Sequence, residues 1–404
     1  MSAAPSRSNL NKKIPKWLIL LGLLTALGPL AIDMYLPAFP TIARDLNTTQ
    51  GNVERTLASY LIGIACAQLI YGPVADRFGR KIPLVFGVAL FSLASFGCAL
   101  SSSIEELSMW RIIQAFGGAA GMAIPRAVIR DKFETRDAAK ALSMIMLVMG
   151  AMPILAPIIG GQLLRLGSWS LIFVLMGVAS LGLCIATIVS LKESLTPDRV
   201  NPLRPGFIAR TYVDLVRDRS FIFYTLAAAL GSASMFAYIS GSARVFISQM
   251  NIDPAYFGLL FGLNALSFII ASQFSAKLLN RYTPSQLLLT AENTLVGFIF
   301  VSLLLTLFGW INLYSLMFCL MGFMASLGFI YPNSSALALN KQGHRLGIAS
   351  ACMGTLQMLG GALAGLAMSV WHSESVLPMV SVLAACASLS WLSSRIAHRL
   401  NPET

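Results

Sequence analysis

Charge is what this sequence has least of. Only 11% of its 404 residues are Asp, Glu, Lys or Arg, against about 25% in a soluble globular domain. Water is therefore the wrong solvent for most of the chain. Histidine is scarcer still: His344, His372 and His398 fall in predicted loops or the tail, and no metal-ligand or nucleophile–base spacing appears around them. The six cysteines, Cys66, Cys98, Cys184, Cys319, Cys352 and Cys386, contain no Cys-x-x-Cys pair, which excludes a disulfide framework and a thiolate metal centre. They read as small apolar core residues. A Gly-x-x-x-x-Gly-Lys-Ser/Thr phosphate loop is missing too, so drive by ATP has no support. No soluble sensing or effector domain of the kind a receptor or scaffold needs is readable. An enzyme, a cofactor and a metal are all unexpected.

Apolar residues fill the space that charge leaves. They make up 56% of the chain, with a mean hydropathy of +0.73. Runs of the roughly 17–25 residues needed to cross a bilayer recur from end to end. Twelve are readable, near 17–39, 53–73, 83–101, 107–128, 141–164, 169–191, 220–243, 255–276, 286–308, 311–332, 347–371 and 376–394. The first follows Lys12, Lys13 and Lys16. It is too long for a signal-peptide core and has no small-residue cleavage site, so it is expected to stay as a membrane helix.

A net charge of +12 raises the question of nucleic acid, and the placement of the charges answers it. If the N-terminus lies inside, the inward segments hold 24 of the 29 Lys and Arg. Arg44, Arg55, Arg165 and Arg244 lie outside, and Arg111 lies within a span. This asymmetry is the positive-inside bias, predicting both termini in the cytoplasm of a multi-pass inner-membrane protein. The basic residues orient the chain and meet anionic lipid; no nucleic-acid partner is expected.

One connection is long. Residues 192–219, "KESLTPDRVNPLRPGFIARTYVDLVRDR", are polar, basic and proline-containing, with six spans before them and six after. Faint similarity links the halves: Met149-Gly150 stands eleven residues before Gly161, and Met353-Gly354 eleven before Gly365. The expectation is an all-α membrane protein of two pseudo-symmetric six-helix bundles, residues 1–191 and 220–404, with a substrate site between them near mid-membrane.

The second span ends in "GPVADRFGRK", residues 72–81. This resembles the loop signature of the major facilitator superfamily, Gly-x-x-x-Asp-Arg-x-Gly-Arg-Lys, complete here. The stretches "LAIDMYLPAFP", "LIYGPVADRFGRK", "RIIQAFGGAA", "IRDKF" and "APIIGG" are similar to the bicyclomycin and chloramphenicol resistance (Bcr/CflA) group of drug:proton antiporters, and the resemblance covers essentially the whole chain. Two positions depart from that pattern: Ala115 follows Gln114 where Gly is usual, and Ala156 precedes Pro157 where Gly is usual. Both are small-for-small changes. The resemblance implies a monomeric, proton-coupled exporter of small amphipathic compounds working by alternating access. An exporter of a metabolite such as an amino acid, with drugs as incidental passengers, is the alternative.

In the loop, Gly72 and Gly79 are expected to permit tight turns. Asp76 is expected to face or cap a neighbouring helix N-terminus, while Arg77, Arg80 and Lys81 reach Asp131 or Glu134. The resemblance implies that such a latch favours the outward-open state and breaks when the cytoplasmic side opens. In the fifth span, Gly150, Pro153, Pro157, Gly160 and Gly161 predict a bent helix packed closely where the halves rock.

The remaining puzzle is Asp33, in "PLAIDMYLP". An aspartate at a membrane-helix centre costs about 2.5–3.5 kcal/mol, and such acids face a cavity or a partner. Pro37 cannot donate to the carbonyl of residue 33, which opens the backbone beside the carboxyl. Arg111 is the expected partner, because both residues lie roughly 8–10 Å below the same surface at ~1.5 Å rise per residue. Gln114 and Gly118 continue its face. Burial disfavours the charged carboxylate and a nearby arginine favours it, so the pair reads as one proton-coupling unit. Tyr60, Tyr238, Asn264 and Gln357 are candidate cavity residues. Glu292 reads as an interhelical or snorkelling acid, and Met144, Met146, Met149 and Met152 as packing or a pliant apolar surface.

Overall fold

A computed structural model describes residues 15–133, 135–195, 205–371, 373 and 375–400. Twelve helices in it are long and apolar enough to cross a membrane. In the first half these are α1 (Lys16–Asp33), extended by α2 (Phe39–Asp45), then α3 (Gln50–Phe78), α4 (Lys81–Leu100), α5 (Ile104–Lys132), α6 (Thr135–Leu166) and α7 (Ser170–Ser190). After α8 (Pro205–Arg217) come α9 (Arg219–Ala243), α10 (Pro254–Leu278), α11 (Pro284–Leu307), α12 (Leu313–Leu339), α13 (Leu346–Val370) and α14 (Leu377–Leu400). Successive spans run in opposite directions, so α1 begins and α14 ends at one face of the bundle, here the terminal face. The other is the distal face.

Polar residues set where the helices start. Thr49, Ser103, Asp218 and Asp253 each accept a backbone N–H of the following first turn, relieving donors that have no partner inside the helix. Thr283 with Gln286, and Asn312 with Ser315, form reciprocal capping boxes. Gly79 ends α3 with φ +88°, a conformation that glycine alone adopts cheaply. Outward-facing side chains are apolar: Leu147, Val189, Phe318 and Leu363 are all largely exposed, as a lipid-facing surface requires. Trp310, Tyr314 and Trp371 mark the distal rim and Trp17 and Trp391 the terminal one, positions that suit the membrane–water interface.

Within the first half, α3 packs on α5 and α4 on α5 and α7. Small residues bring the backbones together. A Cβ on Gly117 would meet the Gly87 carbonyl oxygen at 2.5 Å, and one on Gly63 would meet the Ala115 methyl at 2.6 Å. The two halves join along two long seams, α6 against α10 and α3 against α13. A two-fold axis relating the halves exchanges these pairs, and each seam carries one of the two Met-Gly motifs. Gly161 lies on Pro254 and Gly150 on Ile269; Gly365 lies on Ala58 and Gly354 on Gln68. Pro153 and Pro157 lie inside α6. The distal end of the seam is shut by the 3-10 turn Leu36–Ala38, which touches α6, α9 and α10.

The central connection holds a helix that its sequence did not announce. α8 rests on α9 and α13, with Thr211 and Leu215 buried and Val213 and Val216 turned outward.

Candidate functional site

The break in the first span falls at Asp33. α1 ends there, and a 3-10 turn containing Pro37 leads into α2, so the carboxyl sits at a helix end inside the bundle. It is 4% exposed and has no hydrogen-bond or ion-pair partner among the described residues. The Met34 carbonyl next to it lies against Gly160 of α6, and the turn that follows touches α9 and α10 of the other half, which puts Asp33 beside the seam.

Arg111 is not its partner. This fully buried guanidinium donates from Nη1 to Gln114 Oε1 at 2.6 Å and from Nη2 to the Ala31 carbonyl at 2.8 Å. It lies between the rings of Tyr35 and Tyr60, 4.3 and 4.2 Å from their centroids. α1 thus meets Arg111 at Ala31, and a residue two positions further along a helix does not share that face. Equal depth in the membrane is one coordinate only; the rotation of the helix separates the pair. Gln114 Nε2 in turn donates to Ser95 Oγ at 2.8 Å, and the Tyr35 hydroxyl meets Thr56 Oγ1 at 3.3 Å. The result is a closed polar knot inside the first half. Tyr35, Ser95 and Thr56 were not singled out in the sequence, since a lone hydroxyl in an apolar run carries no signal there.

Tyr238 and Asn264 form a counterpart in the second half. Asn264 Nδ2 donates to the Tyr238 hydroxyl at 3.0 Å, and the Tyr238 ring stacks on Phe261 with centroids 5.4 Å apart. Both residues are buried, while Gln357 is part-exposed on α13 and joins neither cluster. Glu292 is fully buried, accepting from Ser390 Oγ of α14 at 2.8 Å, so it bonds between helices and does not snorkel. His398 lies in the last turn of α14, bonded to Ser285, and not in a tail. A groove of about 580 Å³ between α10, α11 and α12 is on the flank of the second half and gathers none of these residues.

The loop motif folds on itself. Arg80 pairs with Asp76 at 2.6 Å and with Asp131 at 2.9 Å. Lys81 Nζ caps the Ile188 carbonyl of α7 at 2.7 Å, and Glu193 accepts the backbone N–H groups of Arg80 and Lys81. Burial works against the charge on Glu193, but the N–H groups of Leu195, Arg80, Lys81 and Ser194 outweigh it and hold the carboxyl below its ordinary range. Three expectations are corrected. Gly72 is inside α3 and forms no turn, because the helix runs on to Phe78. Asp76 is spent on Arg80, four residues along the chain, and caps no helix. Arg77 is exposed, because the register of α3 points it away from Asp131. Glu134 lies outside the described residues. Arg244, expected on the outer side, stands at the distal end and is buried there against Glu54 across the seam.

Twelve spans, two seams related by two-fold symmetry and a complete loop signature are now joined by a family match. The major facilitator superfamily model fits residues 21–365. The chain belongs to that superfamily. An uncharacterized MFS-type transporter of Bacillus subtilis, YdgK, is 35% identical to this facilitator over 92% of the chain and 93% of its own length. The bicyclomycin resistance protein homolog of Haemophilus influenzae is 29% identical over 93% and 94%. Among solved structures, a peptide transporter POT in complex with sulfate superposes with a TM-score of 0.77 over 98% of this chain and 96% of the other, at 14% identity. That last likeness concerns the fold alone. As a facilitator the protein is a transporter and not an enzyme.

Proposed function

We propose that this facilitator exports small amphipathic compounds, antibiotics among them, in exchange for protons. The two halves, residues 1–191 and 220–404, rock about the 192–219 connection and expose the seam to each side in turn. The terminal face, which carries most of the Lys and Arg, is cytoplasmic, and the chain works as a monomer in the inner membrane. The Haemophilus relative's name and the antiporter-like stretches support a drug substrate.

The observation that carries the proton role is the isolation of Asp33. A carboxyl in a low-dielectric site with no cation and no donor beside it is cheapest when neutral, and it ionises when the seam opens and water enters. Such a group loads and releases a proton once per cycle. Each proton moving inward across ~100 mV supplies about 2.3 kcal/mol, enough for roughly a 50-fold gradient of a neutral compound. Arg111 takes no proton in this scheme: it braces α1 against α5 so that Asp33 keeps its place. The fifth-span residues Gly150, Gly160 and Gly161 keep α6 close to its neighbours while the halves rock, and the Arg80 cluster holds the cytoplasmic ends of α3, α4, α5 and α7 together.

Cells expressing the chain, challenged with a compound panel including bicyclomycin and chloramphenicol, should accumulate less of at least one compound. Purified protein in vesicles should move that compound only when a pH gradient is imposed. Transport of an amino acid with no protection against any drug would sink this reading in favour of metabolite export.

A further inference from the structure

The distal seam holds a second buried acid, and this one is paired. Glu54 is fully buried in the second turn of α3. Its Oε2 accepts from Arg244 Nη2 at 2.8 Å, across the boundary between the halves. Arg244 Nη1 donates to the carbonyl of Trp371, just past the end of α13, at 3.0 Å. The guanidinium is therefore tied to its own half by a backbone bond and to the other half by charge. It also opens the π-helical turn Arg244–Gln249, a wide-helix geometry that is frequent at functional sites. The remaining oxygen, Oε1 of Glu54, has no hydrogen-bond partner among the described residues. Weaker bridges lie along the same edge: Arg55 Nε to Ser369 Oγ at 3.3 Å and Ser248 Oγ to Gln50 Oε1 at 3.1 Å.

An ion pair is a poor choice for simply holding two helices together. Desolvation consumes most of its Coulombic gain, and apolar side chains of the same volume do as well or better. What it does provide is asymmetry. Closing the seam over one charge without the other is heavily penalised, whereas opening it returns both charges to water at little cost. An apolar contact has the opposite bias, because opening it exposes greasy surface. The position adds to the argument, since the pair bridges the two halves at the distal end of the α3–α13 seam, beside the bonds of Gln50 and Arg55 to the second half.

We propose that Glu54 and Arg244 are the charge latch of the distal gate: the pair forms when that side shuts and separates once in each cycle. Neither touches Asp33, so they act as positioning residues for the alternation and not as its proton site. The inference rests on membership of the facilitator superfamily and is independent of which compound or ion is moved.

The test is a distance measurement that needs no substrate. Spin labels are placed on Ser102→Cys and Trp310→Cys, exposed distal-loop positions in the two halves, in a Cys66→Ser background, with the full chain in lipid nanodiscs. Arg244→Met leaves Glu54 buried and unpaired, so the ratio of long to short distances should rise by about tenfold or more. Glu54→Gln keeps the shape of the side chain and so remains usable if Arg244→Met does not fold. It should shift the ratio the same way, by less. The double variant Glu54→Met/Arg244→Met removes both charges and should return the short population. An unchanged distribution in both single variants, or a double variant as open as Arg244→Met, would overturn the latch.

Discussion

Asp33 and Arg111 occupy the same depth in the membrane and different electrostatic worlds. Arg111 is held by Gln114, the Ala31 carbonyl and two aromatic faces, with only its Nε left without a partner among the described residues, while Asp33 has none of these. Asp33→Asn should therefore abolish pH-driven exchange in vesicles and leave folding and membrane insertion intact. Arg111→Ala strands the Gln114 oxygen and the Ala31 carbonyl and empties the space between Tyr35 and Tyr60. It should lower stability by about 2–4 kcal/mol, read as a lower melting temperature in detergent. Because the two residues share no contact, their effects on stability should add within about 0.5 kcal/mol in a double-mutant cycle. Strong coupling between them would mean that the arginine does govern the acid. Arg111→Lys keeps the charge but loses the planar fork that serves two acceptors while stacked, and should recover only part of the stability.

At the scale of helices, close approach is set residue by residue. Ala115 fits because Gly63 of α3 faces its methyl group. Gly63→Ala should therefore destabilise the α3–α5 contact, and Ala115→Gly should recover only part of the loss, because the new methyl also meets the Ile112 carbonyl oxygen at 2.9 Å. Thermal melts of the two single variants and the double are the check. Gly160→Ala should be worse, since a methyl there runs into the Met34 carbonyl oxygen, which is fixed backbone at the end of α1. Gly150→Ala, with its nearest neighbour a flexible Ile269 side chain at 3.7 Å, should be tolerated. The terminal face offers a pH test. Glu193 titrates below its ordinary 4.5 in the folded chain, so its contribution is complete above that value and is lost as pH falls through the depressed folded value. Protection of the Arg80 and Lys81 amides against hydrogen exchange, relative to their free-peptide rates, should hold down through pH 5 and fall only in stronger acid. Glu193→Gln, which keeps one acceptor oxygen, should lower that protection and remove its acid step.

For the whole molecule, the arrangement of contacts between the halves decides which side is shut. The side-chain bonds of Gln50, Glu54 and Arg55 to the second half all lie at the distal face, and the turn Leu36–Ala38 plugs the same end. Gln50→Cys/Ser248→Cys, bridged by a short reducible crosslinker, should trap the protein with that side closed. Transport in vesicles should stop on crosslinking and return on reduction. Continued transport with the bridge intact would show that the halves do not part there.

Much of this protein could be read without a structure, because lipid imposes a one-dimensional rule. Every backbone polar group in the bilayer must be satisfied within its own segment, so twelve apolar runs mean twelve helices. The end of α1 beside Pro37 was equally legible, since a missing N–H acts locally. So was the bonding of Arg80 to Asp131, because both charges had to stay at one membrane surface. What sequence spacing could not supply was rotation. Whether Arg111 meets Asp33 or Ala31, and whether Arg244 faces water or Glu54, depends on how helices distant in sequence turn about their axes when small residues let them approach. That angle is a property of the packed bundle, and it alone determined that one buried acid stands unpaired while the other is locked across the seam.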